Sequence, residues 1–282
     1  AKAINEEMKL AAVKAIAALA KMPVPDIVNE VYHVNDLSFG SKYFIPKPVD
    51  PRLITEVSAA VAQAAIKSGV ARTPITDWTA YKDQLRQMLG QETKLTRTLH
   101  ATAALHPQRV VFAEGGHPTM MKAAVQAHQE GICMPILLGN IDRLNRLAKR
   151  LKLDLNGVEI VDMRADSEQR RRATYAKHLA EKRARQGVTF EEAYDKMYER
   201  NYFGMSMVEK GDADAFITGL YTKYSNTIKV AKEVIGVRPD YSTFATMHIL
   251  NTKKGVFYLS DTLINRHPDQ NVLYDVARLT AH

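Results

Sequence analysis

The sequence predicts an α/β protein in two unequal parts, a helical opening followed by a parallel sheet with crossing helices. Three observations carry this prediction. Alanine-rich segments of helical period dominate the opening, and no run between residues 1 and 105 reads as a strand. From Arg109 onward, short apolar runs alternate with amphipathic segments, which is the pattern of a parallel sheet. Near the end, "FATMHILNTKKGVFYLSDT" reads as a hairpin turning at "KKG".

The first helix runs over residues 5 to 21. Asn5 is placed to cap it, Glu6 and Glu7 suit its positive first turn, and Met8, Ala11, Ala12, Ala15, Ile16 and Leu19 mark one face. "MPVPD" ends it. "YFIPKPVDPRL" then carries three prolines, Pro46, Pro48 and Pro51, and reads as a stiff, extended strap. A second helix is expected from Pro51 to Ser68, with Gly69 at its end. Thr76 to Gly90 reads as a linker helix with Trp78, Tyr81 and Leu85 on one side.

In the second part, "RVVFAEGG" is a buried strand and "PTMMKAAVQAHQEG" a helix with Pro118 near its start. "CMPILLGN" and "GVEIVDM" are further strands, separated by the helix "IDRLNRLAKRL". One long helical stretch is expected from Ser167 to Lys210. "ADAFITGL" is a strand, "SNTIKVAKEVIG" a helix, and a last helix opens at "DQNVLYDVARLTAH".

The charge of +8 comes from 39 Lys and Arg against 31 Asp and Glu, and favours anionic partners such as phosphorylated cofactors. No helix-turn-helix, zinc-finger or RNA-binding signature is present, so nucleic acid is not expected. No run approaches the roughly 20 apolar residues of a membrane helix, so no membrane partner is expected. Cys133 is the one cysteine, which rules out an internal disulfide framework and fits a reducing cytoplasm. His33, Asp26 and Glu30 are too scattered to suggest a metal site. The stripe Tyr194, Met197, Tyr198, Met205 and Met207 reads as core, and His248 as a sheet residue.

Residues 1–72, through "INEEMKLAA", "FGSKYFIPKPVDPRL" and "VAQAAIKSGVA", resemble the end of the nucleotide-binding domain of bacterial malic enzymes. Residues 94–282 resemble the phosphotransacetylase family through "RVVFAEG", "GICMPILLGN", "RQGVTFEEAYDKM", "DADAFITG", "SNTIKVAKEVIG" and "VFYLSDTLIN". Residues 73–93 form the linker between them. This order resembles the hybrid NADP-dependent malic enzymes. The resemblance implies the tail of a Rossmann-like domain, followed by a phosphotransacetylase sheet of isocitrate dehydrogenase-like type that is incomplete at its C-terminus. It also implies oxidative decarboxylation of malate to pyruvate and CO2 in the parent, with NADP and Mg²⁺ or Mn²⁺ bound mainly outside this chain. No glycine-rich dinucleotide turn follows a strand here. The family's catalytic residues for either reaction are expected outside the chain, which is expected to be inactive alone.

Two segments are candidate sites for acetyl-CoA or acetyl phosphate. Arg183 matches the family's arginine that contacts the CoA and phosphate region, and its planar fork suits phosphate. The other reading of this basic segment is a charged solvent face, with Arg170, Arg171, Arg172, Lys177, Lys182 and Arg185 beside it. In the second segment Ser225 and Asn226 are expected to cap a helix whose start attracts an anion, beside Thr227 and Lys229. The alternative there is a simple capped helix. The family has an aspartate and an Arg–Pro pair where this chain has Asn226, Lys229 and Val230, which argues for binding over turnover. Gly116, His117 and Thr119 also depart from the family's acidic loop. His117, without a partner at a telling spacing, reads as a bystander.

Three functions follow. The second part binds acetyl-CoA and regulates the malic enzyme, transfers acetyl between CoA and phosphate, or acts as an oligomerisation module that makes the parent a homo-oligomer.

Overall fold

The computed structural model describes residues 1–34, 37–88, 94–252 and 255–281. The end of the expected linker helix and the lysines of the "KKG" turn lie outside the described residues. The chain forms two compact units. One gathers residues 1–107, 115–135 and 141–159; the other gathers 108–114, 136–140 and 160–282.

In the first unit, α1 (Glu6–Lys21) begins as expected, with the Asn5 side chain accepting from the Met8 N–H at 3.0 Å. It packs along α3 (Arg52–Lys67), which ends at Ser68 and the left-handed Gly69. Asn5 Nδ2 donates to Ser68 Oγ at 2.8 Å, so the start of α1 meets the end of α3. The strap between them is not the straight crossing its prolines predict. A short helix, α2 (Asp26–Val31), precedes it, and the strap itself bends and turns, with the Asp50 N–H donating to the Lys47 carbonyl at 2.9 Å. Gly40 and Tyr43 form a local bridge, and Tyr43 is buried with Val24 and Val28. The buried Asp50 carboxylate takes Tyr43 Oη at 3.2 Å and Arg52 at 2.7 Å, while Arg52 also reaches the Pro23 carbonyl at 2.6 Å. Side-chain hydrogen bonds thus override the extended preference of the prolines. α4 (Trp78–Met88) returns toward α3 through Lys82 and Glu56, 3.1 Å apart, and α5 (Lys94–Leu105) follows. α6 (Pro118–Gln129) and α7 (Ile141–Leu151) complete this unit. Leu144, Leu147, Ala148 and Leu151 form the buried face of α7 at helical spacing.

The parallel sheet has four strands, β1 (Gln108–Phe112), β2 (Cys133–Leu138), β3 (Glu159–Val161) and β4 (Ala215–Ile217), in the order β3-β2-β1-β4. β1 and β4 pair with Val110 opposite Ala215 and Phe112 opposite Ile217. The predicted long helix is three: α8 (Gln169–Arg183), α9 (Phe190–Lys196) and α10 (Arg200–Glu209). Gly187 adopts φ 80°, which a helix interior does not allow, and Thr189 and Glu192 then form a reciprocal capping box that starts α9. Glu199, extended at φ −95° and ψ 130°, separates α9 from α10.

The core of this unit joins Val111, Ile136, Leu138 and Val161 of the sheet to Tyr175, Leu179, Met197, Phe203, Met205 and Met207. Full burial of each large apolar side chain contributes about 1.5–3 kcal/mol. Gly204 lies against Phe216, where a Cβ would meet the ring at 2.4 Å. α11 (Tyr224–Val234) follows β4. β5 (Met247–Thr252) and β6 (Gly255–Ser260) form the predicted antiparallel hairpin, with His248 opposite Leu259, and α12 (Gln270–Ala281) comes last. No helix among the described residues is long and apolar enough to cross a membrane.

Candidate functional site

The chain builds outward from β1 to β3 and then returns to add β4 on the other side of β1. This reversal makes the β1/β4 boundary a switch point, and open α/β sheets take ligands outside the strand ends at such points. Two buried ionic side chains organise loops at the strand ends, one at this boundary and one after β3 at the opposite edge of the sheet.

The first is Glu114, 1% exposed, two residues after β1. Its carboxylate accepts from the Gly219 N–H at 3.2 Å and the Tyr221 N–H at 3.2 Å, and lies 3.2 Å from Thr218 Oγ1. It therefore shapes the loop that leads from β4 into α11. A buried carboxylate with several donors satisfies both itself and the backbone around it.

The second is Arg172 on α8, 3% exposed. Its Nη1 donates to the Met163 carbonyl at 2.7 Å and the Ala165 carbonyl at 2.8 Å, which holds the loop after β3. Its guanidinium lies 4.8 Å from the centre of the Tyr198 ring. A hydrogen bond from Arg172 also holds the Tyr194 phenol below its ordinary pKa.

Between these loops is a cavity of about 460 Å³, lined by Arg164, Lys196, Tyr198, Arg200, Asn226 and Lys229 among others. The lining carries four cationic side chains and one carboxylate, Glu199. Glu233 of α11 sits behind the lysines, 3.0 Å from Lys196 Nζ and 3.9 Å from Lys229 Nζ, and accepts from Tyr202 Oη at 2.5 Å. Burial raises the Glu233 pKa, but the Tyr202 hydroxyl and the lysines outweigh it and hold the carboxyl below its usual range. Burial, then the Glu233 carboxylate, pushes the Tyr202 phenol well above its ordinary value. Neither histidine nor cysteine lines this cavity. The lining is net cationic.

The expected site residues divide. Asn226 and Lys229 line the cavity, while Ser225 and Thr227 lie in the first turn of α11 but are not part of the lining. The expected cap is corrected: Ser225 and Asn226 are inside the helix, and Lys223 is its N-cap, with no side-chain hydrogen bond. Arg183 is not brought to the others. Its Nε donates to the Glu233 carbonyl at 2.7 Å, and Nη2 to the Lys232 carbonyl, at the far end of α11. An 11-residue helix is about 16 Å long, so Arg183 stands well apart from the first turn. It lines a separate cavity of about 270 Å³ with Lys232, Ser242 and Phe244. The solvent-face reading fits the exposed Arg170, Lys177, Lys182 and Arg185 but is corrected for Arg172, which belongs to the interior. His117 caps α6, accepting from the Thr119 N–H at 3.2 Å.

Sequence reasoning missed Glu114, Arg164, Arg172, Arg200 and Glu233. One signal for Arg172 was available: Arg172, Tyr175, Ala176 and Leu179 share a helix face, and all are buried. Among the described residues, no group of three His, Cys, Asp or Glu side chains is placed to hold a metal ion.

The whole chain is 35% identical to the NADP-dependent malic enzyme of Escherichia coli (strain K12), over 37% of that protein's length. It is 36% identical to the NADP-dependent malic enzyme of Salmonella typhimurium, again over 100% of this chain and 37% of the relative. The chain thus spans little more than a third of the curated relatives it matches. Among solved structures, EutD phosphotransacetylase from Staphylococcus aureus superposes with a TM-score of 0.58 at 24% identity, covering 65% of this chain and 54% of that one. That likeness concerns the fold. The family model for phosphate acetyl/butaryl transferase matches residues 94–282, more than half of the sequence, and on that ground the chain belongs to this family.

Proposed function

We propose that residues 94–282 bind acetyl-CoA and regulate a malic enzyme to which residues 1–72 belong, with residues 73–93 as the bridge. The observation that carries this reading is the basic cavity beside the first turns of α11, in which four cations face one carboxylate. The match to malic enzymes along the full chain supports the rest. In this proposal the parent converts malate to pyruvate and CO2 in the cytoplasm with NADP and Mg²⁺ or Mn²⁺, as a homo-oligomer. Coupling between the two activities requires two states that differ in acetyl-CoA affinity. Of the residues expected from sequence, Asn226 and Lys229 touch the ligand directly. Ser225 and Thr227 support the first turn, and Arg183 acts at the other end of the helix. Calorimetry of acetyl-CoA with this chain tests the proposal. Saturable binding that Lys229→Ala weakens and Arg183→Ala spares supports it; absence of binding to the unmodified chain rejects it.

The family match favours a second reading, acetyl transfer between CoA and phosphate. A coupled assay of the full-length parent with acetyl phosphate and CoA separates the two. Robust turnover would replace regulation with catalysis.

A further inference from the structure

The cavity's four cations are not equivalent. Lys196 and Lys229 are already engaged by Glu233, at 3.0 and 3.9 Å. Arg164 and Arg200 have no carboxylate within salt-bridge distance among the described residues. Unpartnered arginines are ordinary on an open surface, but these two are held at one cavity by shared support. The carbonyls on either side of Arg164, those of Met163 and Ala165, both accept from the buried Arg172. The same guanidinium lies on the ring of Tyr198, which lines the cavity two residues before Arg200. Arg200 itself lies 5.9 Å over the Tyr221 ring, whose backbone N–H is held by Glu114. One buried cation thus holds the carbonyls on both sides of Arg164 and lies on the ring two residues before Arg200.

We propose that Arg164 and Arg200 form a phosphoryl-binding subsite, with Arg172 as the positioning residue behind it. The inference rests on reading the cavity as the acetyl-CoA site, and it names the residues that select the ligand's phosphates. Two guanidinium forks bind phosphate oxygens in pairs, which an ammonium does not do. Lys196 and Lys229 contribute field, but their donors are shared with Glu233. A phosphate ester of CoA and a free inorganic polyphosphate present the same chemistry, so the test uses both.

The 282-residue chain is titrated calorimetrically with acetyl-CoA, 3′-dephospho-acetyl-CoA and inorganic pyrophosphate. Arg164→Lys and Arg200→Lys keep the charge and remove the fork, and thermal melts establish that each variant is folded. The exposed Arg185→Lys serves as control. The expected result is that each subsite variant loses about tenfold or more in acetyl-CoA affinity while the control is unchanged. A smaller loss with the dephospho ligand assigns the subsite to the 3′-phosphate; an equal loss assigns it to the diphosphate. Acetyl-CoA binding that both variants retain within about twofold overturns the subsite and leaves the cavity reading standing. Arginine-dependent binding of pyrophosphate without acetyl-CoA binding keeps the subsite and rejects the acetyl-CoA reading. Binding of none of the three ligands to the unmodified chain overturns both.

Discussion

The Glu114 carboxylate accepts the Gly219 N–H at 3.2 Å, joining the loop after β1 to the loop after β4 across the point where the strand order reverses. The Tyr221 N–H takes the same carboxylate, so a side chain from one strand end sets the backbone of the other. Glu114→Ala leaves these buried donors without an acceptor and should destabilise the chain by about 2–4 kcal/mol, whereas Glu114→Gln keeps an oxygen acceptor and should cost roughly half as much. Urea denaturation of the three proteins gives the comparison. Equal stability of Glu114→Ala and the unmodified chain would show that the loop does not depend on this carboxylate.

Arg172 provides a second stability test. Arg172→Met removes two donors from the Met163 and Ala165 carbonyls and should cost about 2–4 kcal/mol. Arg170→Met, two residues away on the exposed side, should stay within about 0.5 kcal/mol. Chemical denaturation of both variants tests whether the burial of one arginine in this basic run has energetic weight. Similar losses for the two variants would argue against it.

Glu233 should oppose anion binding. Its carboxylate holds Lys196 at 3.0 Å, and an incoming phosphate must compete with it. Glu233→Gln removes the charge with little change in shape and should tighten acetyl-CoA or pyrophosphate binding by about tenfold at low salt, less at high salt. Weaker binding in Glu233→Gln would mean that the carboxylate orients the lysines more than it competes for them.

The acid limb of stability should depend on Asp214. Three hydrogen bonds from Arg109, two from the guanidinium at 2.8 and 3.1 Å and one from the backbone N–H at 2.8 Å, lower its pKa from 3.8 to about 2. A depressed carboxyl favours the folded state above the unfolded pKa and loses that contribution as pH falls through the folded value. The melting-temperature difference between the unmodified chain and Asp214→Asn should therefore be full at pH values above 3.8 and shrink as the pH falls toward about 2. A difference independent of pH over this window would remove Asp214 from the acid response.

The features legible in the sequence were those set by local pattern. The Asn5 cap, the four strand runs and the hairpin follow from short-range periodicity and turn chemistry, so they needed no knowledge of neighbours. The break at Gly187 was also readable, because Thr189 and Glu192 have the spacing of a capping box. The strap was misread because proline preference is local, while Asp50 recruits Tyr43, Arg52 and the loop around them through longer contacts. In the site, Asn226 and Lys229 were accessible by position after a strand. Glu114 and Arg172 were not identified. A lone acid after an apolar run and one arginine in a run of three look like surface until the side that packs inward is known. The sequence also could not show that Arg183 lies apart from Asn226 and Lys229, because a guanidinium suits phosphate and carbonyl oxygens alike, and the fold brings this one to carbonyls.

The last turn of α11 is clasped by adjacent side chains of α8. Lys182 donates to the Val234 and Ile235 carbonyls at 2.7 and 2.8 Å, and Arg183 to those of Glu233 and Lys232. The first turn has no such grip, since its cap position is Lys223 without a side-chain bond. The tail is thus held by side chains of α8, while the head is set by the loop that Glu114 holds. Two adjacent basic side chains of α8 offset the negative end of the α11 dipole, so the carbonyls that a helix leaves open at its tail are filled here from a neighbouring helix.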